Sequence, residues 1–120
     1  MNCGDACEVA GRGLRFAQFS CAGAGVNCCG PGVGIISTSP EAAGLSGRFW
    51  QSMCGTSMAA PSVCALLAVR LSRSKPYRQS ERGIERADLA VQVLRKLCRP
   101  TKLAKGKQGW GLPRLRTTVL

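Results

Sequence analysis

Apolar and polar positions change their spacing several times along the chain. Residues 14–20, LRFAQFS, set Leu14 and Phe16 against Arg15 and Ala17, a loose alternation that predicts a short strand near a sheet edge. The segment before it, residues 1–13, is short, polar and rich in small residues and reads as a loop. CAGAGVNCCGPGV, residues 21–33, is dense in glycine, and its Gly-Pro-Gly must turn the chain. Val33, Ile35 and Ile36 then form a β-favouring run stopped by Pro40, which predicts a buried strand. From Glu41 to Gly55 the sequence is loop-like, with Phe49 and Trp50 as its large anchors.

A helix is predicted from Thr56 or Ser57, where a hydroxyl can cap the first turn and Pro61 is tolerated. Met58, Ala59, Val63, Cys64, Leu66, Leu67, Ala68, Val69 and Leu71 make it apolar nearly all round, the signature of a buried central helix. Residues 74–80, SKPYRQS, read as a polar linker broken by Pro76. Residues 85–98 place Ala87, Val91, Leu94 and Cys98 on one face, as in an amphipathic helix. Beyond Pro100 the pattern predicts a basic loop, a Gly-Trp-Gly turn and a short terminal strand.

Composition sharpens this picture. A length of 120 residues suits one domain with a single modest core, and 45% hydrophobic residues make it a folding composition. The net charge of +11 is carried by one half of the chain. Residues 1–64 balance Arg12, Arg15 and Arg48 against Asp5, Glu8 and Glu41, whereas residues 65–120 set fourteen Lys and Arg against Glu81, Glu85 and Asp88. Such a surplus invites phosphate binding. Tyr77 and Trp110 are the only aromatics interleaved with it, so a solvated helix face with a basic tail is the simpler reading, and nucleic acid is not the expected partner. The longest apolar run, Val63 to Val69, falls far short of the roughly 20 residues of a membrane span, so no membrane partner is expected.

Eight cysteines are many for this length, yet nothing at the N-terminus reads as a signal peptide, and localisation stays open. Adjacent Cys28 and Cys29 favour bonds to different partners or none. Cys3, Cys7, Cys28 and Cys29 could supply four thiolates, but their spacing lacks the paired knuckles of structural zinc sites, so no metal is expected.

The chemistry centres on Ser57. It follows Gly55 and Thr56 onto the first turn of the apolar helix, where free N–H groups and partial positive charge gather. A serine there serves either as a helix cap or as a nucleophile whose own N–H helps to hold an oxyanion. The chain contains no histidine, so a base would have to come from elsewhere. Ser57-Met58-Ala59 does not complete the G-x-S-x-G of α/β-hydrolases. Lys75, Lys96, Lys102, Lys105 and Lys107 all stand in polar surroundings unsuited to a Ser/Lys dyad.

GTSMAAP, residues 55–61, with the apolar helix after it, resembles the active-site serine segment of the subtilases, the subtilisin-like serine peptidases. Upstream, FAQFSCAGAGVNCCGPGVGIISTSP is similar to the family's strand, glycine-rich turn and A-P-G-x-x-I-x-S-T segment in the same order, with Cys29-Gly30-Pro31-Gly32-Val33 where the family has a small or apolar residue and then A-P-G. The likeness spans residues 16–71.

It implies an α/β fold, part of a three-layer sandwich around a parallel sheet with the nucleophile on a buried central helix. Residues 1–72 would be the C-terminal portion of the catalytic domain, and 73–120 its basic helix and tail. It implies Ser57 as nucleophile and oxyanion donor, Gly55 and Thr56 as the supporting turn, and Met58 to Pro61 as the start of the helix. Ser62 departs from the family, which commonly has a non-catalytic histidine there. Family triads run Asp, His, Ser, so the first two are expected upstream of Met1, on a missing N-terminal portion. Asn2 is a poor match to the family's side-chain oxyanion donor.

The function implied is a serine-type endopeptidase acting on peptide or protein, present as a fragment; the alternatives are an inactive remnant or interaction module and, more weakly, a basic nucleic-acid binder. Calcium is common in the family, but the few carboxylates here form no cluster of oxygen ligands, so no cofactor is expected.

Overall fold

A computed structural model describes residues 6–11, 14–40 and 49–115. The chain runs through β1 (Ala6–Gly11), β2 (Leu14–Ala17), β3 (Ile35–Thr38), β4 (Trp50–Met53), α1 (Thr56–Ser72), α2 (Lys75–Gln79), α3 (Ile84–Leu97), β5 (Cys98–Arg99), α4 (Lys105–Gln108) and β6 (Leu112–Pro113). Among the described residues the strands form three antiparallel pairs, β1 with β2, β3 with β4 and β5 with β6. The parallel sheet of a three-layer sandwich is not among these pairs. Parallel neighbours need a crossover of a dozen or more residues, and the segments between β1 and β2 and between β3 and β4 are shorter than that.

Strand β1 lies where a loop is expected, because pairing with β2 supplies hydrogen bonds that the local sequence does not advertise. Likewise β4 falls inside the segment read as loop-like; its register, Ile35 opposite Met53 and Thr38 opposite Trp50, continues into a bond from Ser39 N–H to Phe49 O at 2.8 Å. The β3–β4 pair is not a buried one. Ile36 is 70% exposed and Trp50 63%. The linker expected at 74–80 contains α2, whose proline stands in the first helical turn, where a missing N–H costs nothing.

Helices α1 and α3 pack on each other, with α2 touching both. Cover on that side leaves much of α1 open: Leu71 is its buried residue, while Val69 is 44% exposed. The all-round apolar pattern called for cover on every side, and the described residues provide it on one.

The remaining buried side chains gather at the far end of the chain, where Leu103, Cys98 and Gln108 are 7%, 5% and 6% exposed. Gln108 organises this region. Its Oε1 accepts from Thr101 N at 2.6 Å and from Thr101 Oγ1 at 3.0 Å, and its Nε2 donates to Leu103 O. Thr101 Oγ1 in turn accepts from Leu103 N at 3.1 Å, so one buried amide fixes the loop between β5 and α4. Gly109 and Gly111 close the following turn with φ of 58° and 105°, and a Cβ at either would run into backbone of residues 26–27 or 99–100.

Gln108→Ala should lower stability by about 1–3 kcal/mol, the usual cost of leaving buried backbone groups without their partner. Urea unfolding followed by circular dichroism checks this, an unchanged midpoint being the contrary result.

Candidate nucleophile site at the start of α1

Gly55 leads the chain into α1, and its carbonyl accepts from Met58 N at 3.1 Å and Ala59 N at 3.3 Å. It is Gly55, not a hydroxyl, that stands at the cap position, and no side chain caps the helix. Ser57 occupies the second helical position and is exposed. Among the described residues neither its hydroxyl nor its backbone N–H has a hydrogen-bond partner. The capping alternative is therefore not what the side chain does. What remains is an open hydroxyl beside an unpaired donor at the positive end of a 17-residue helix.

The glycine-rich segment is seated against this helix start. Gly55 N–H donates to Gly32 O at 2.8 Å, and a Cβ on Gly32 would lie 2.8 Å from Gly55 O and 3.3 Å from the Ala59 Cβ. Gly30 sits as close to the next turn, where a Cβ would meet Val63 Cγ2 at 2.8 Å. Only residues without side chains can lie this near the helix backbone. The two stretches singled out in the sequence, 30–38 and 55–61, are thus in direct contact. Cys54, just before Gly55, is disulfide-bonded, and its sulfur accepts from Gly34 N at 3.1 Å.

No base accompanies the serine among the described residues: no Lys, Asp or Glu is hydrogen-bonded to Ser57. Asn2 and Cys3 lie outside the described residues. No group of three or more potential ligands is gathered into a metal site among the described residues. Open concavities lie around α2, one lined by Lys75, Arg78 and Gln79 and another by Tyr77, Arg82 and Arg86. They are beyond the far end of α1, a helix about 25 Å long at 1.5 Å per residue.

A cluster that the sequence did not single out involves thiols. Burial pushes the Cys28 and Cys29 thiols above their ordinary range, each further raised by a neighbouring cysteine, and raises Cys98 to about 11. Nothing local to Cys98 could have announced this, because Cys28 and Cys29 are brought near it only by the tertiary fold.

The basic half engages its own aromatics. The Arg86 guanidinium lies 4.4 Å from the Tyr77 ring centre, Arg95 lies 5.9 Å from Trp110, and Lys107 Nζ 5.3 Å from Phe16. The two rings available for base stacking thus already carry arginines. No helix among the described residues is long and apolar enough to cross a membrane.

No family model matches the chain, and no curated protein or solved structure does.

Binding of residues 1–120 to DNA should be weak, indifferent to sequence and steeply reduced as salt rises from about 50 to 200 mM. Fluorescence anisotropy with two unrelated duplexes checks it; sub-micromolar, sequence-selective binding at physiological salt would be the contrary finding.

Proposed function

We propose that this chain carries the nucleophile segment of a subtilase-like serine endopeptidase, with the triad's Asp and His supplied by a portion outside these 120 residues. One observation carries the reading. The open Ser57 of GTSMAAP stands on the first turn of α1 with the Gly30–Gly32 backbone laid against that same turn. A motif match alone would leave the two stretches unrelated in space; their contact is what a shared site requires.

The chemistry is acyl transfer. Ser57 Oγ attacks the carbonyl carbon of a peptide as a histidine takes its proton, an aspartate orients that histidine, and the acyl-serine is then released by water. The unpaired Ser57 N–H faces the charge that develops on the carbonyl oxygen, aided by the helix dipole. In this proposal the substrate is a peptide or protein and the domain is the α/β sandwich of the family, of which these residues are one part. The uncovered apolar surface of α1 supports the view that further structure packs on it. Calcium finds no group of oxygen ligands among the described residues and enters no step.

A second reading, an inactive remnant or interaction module, is favoured by the lack of any base beside Ser57 among the described residues.

The isolated chain should be inert, since triad members act as a unit and loss of the histidine alone costs roughly 10⁶ in rate in the subtilisin triad. Purified residues 1–120 should not label with a fluorophosphonate. Adding a subtilase N-terminal portion that carries Asp and His, as a fusion or second chain, should restore labelling, and Ser57→Ala should abolish it. Absence of labelling in the folded fusion would favour the inactive reading. Stoichiometric labelling of the isolated chain would show another residue activating the serine and sink the divided-triad proposal.

A further inference from the structure

Six cations gather on the stretch that joins α1 to α3. Arg70 and Arg73 stand at the end of α1, Lys75 and Arg78 on α2, Arg82 in the loop after it and Arg86 on the first turn of α3. The carboxylates of that stretch are Glu81 and Glu85. Among the described residues none of the six cations is ion-paired with a carboxylate. Their charge is therefore left to act outward, as a local positive field.

Part of this surface is shaped. Helices α2 and α3 touch, and beside them lies an open concavity of about 420 Å³ lined by Tyr77, Arg82, Gly83 and Arg86. Arg86 is held there: its guanidinium lies 4.4 Å from the Tyr77 ring centre, and one Nη donates to Ser80 O at 3.4 Å. One of its five N–H donors is thus spent, and the others are available. Arg82 is exposed and engages no partner among the described residues. A Cβ on Gly83 would find no atom within 4 Å, so the ground beside the arginines is clear. Ile84, the next residue, is 76% exposed and sets an apolar side chain next to them.

We propose that the concavity at Arg82 and Arg86 docks an acidic peptide segment of a partner protein, a run of Asp and Glu interrupted by an apolar residue. The inference goes beyond the peptidase reading and does not rest on it. Charge complementarity carries it: planar guanidiniums without an internal counter-ion match carboxylates, which they bind through paired hydrogen bonds. The openness of the concavity suits an extended chain passing over it, whereas a small ligand is held by a site that encloses most of its surface. Lys75 and Arg78, which line the second concavity of α2, extend the positive field and steer the approach of such a segment. A nucleic acid gains less here, because Arg86 already covers the Tyr77 ring on which a base would stack. An apolar residue of a peptide, by contrast, has Ile84 to rest on.

The test uses residues 1–120 and a fluorescein-labelled probe peptide, all glutamate except for a central leucine, followed by fluorescence anisotropy. Saturable binding is expected at low salt, weakening as salt rises from about 50 to 200 mM. Arg82→Gln should weaken it about tenfold, while Lys102→Gln, which removes the same charge from the exposed loop before α4, should change it by about twofold or less. The circular dichroism of Arg82→Gln should match that of the unsubstituted chain, since the Arg82 side chain holds nothing in place. Equal losses in the two variants, or no saturable binding at all, would overturn the proposal. So would tighter binding of a single-stranded oligonucleotide of the same charge, which would make nucleic acid the occupant. Retention on vesicles of phosphatidylserine and phosphatidylcholine that the peptide does not compete away would equally overturn it, in favour of a lipid surface.

Discussion

Backbone lying against backbone, at positions where no side chain stands between, is the constraint on which the rest of this structure depends. Gly32 and Gly30 lie against the first turns of α1, and Gly109 and Gly111 against residues 26–27 and 99–100. With few side chains among the described residues withdrawn from water, these are drawn together less by a large apolar core than by these close approaches and by the buried amide of Gln108. Such contacts are unforgiving, since one methyl at Gly32 or Gly111 meets a carbonyl that cannot rotate aside.

The same constraint shapes the candidate site. Because Gly32 O takes the Gly55 N–H and Gly55 O takes those of Met58 and Ala59, the turn into α1 is fixed by its own backbone. Among the described residues Ser57 is then left with both its hydroxyl and its N–H uncommitted, whereas a capping serine would commit its hydroxyl. Under the proposed reading, an open hydroxyl beside an open donor would be half of an acyl-transfer site; the other half would be a base, and a chain without histidine does not contain the usual one. The two proposed readings, peptidase and inactive remnant, thus share one geometry and differ in what would complete it.

The two long helices were legible in the sequence, and the reasons are local, whereas α2 and α4 lie where a polar linker and a basic loop were expected. α1 begins at Thr56 and α3 spans Ile84–Leu97, close to the bounds that apolar spacing predicts. The strands were less so. β1 and β4 have weak patterns and exist by virtue of their partners, while Ile35 and Ile36, read as a buried strand, sit in a two-stranded pair with Ile36 facing water. Glycine density announced the turn at 30–34, but not that it would rest on the serine helix. Ser57 stood out by its motif. That the segment around Cys29 and strand β5 both border residues 110–113 had no signal, because it depends on the tertiary fold.

Residue-resolved amide hydrogen exchange on the intact chain tests the central claim, that the glycine segment is seated on the start of α1 and leaves Ser57 open. The Gly55 amide, bonded to Gly32 O at 2.8 Å, should be protected, and the Ser57 amide should exchange near its intrinsic rate. In Gly32→Val the Gly55 protection should disappear while that of Leu94 in α3 persists. A Gly55 amide that exchanges as fast as Ser57 in the unsubstituted chain, or a Ser57 amide as protected as Gly55, would contradict this account.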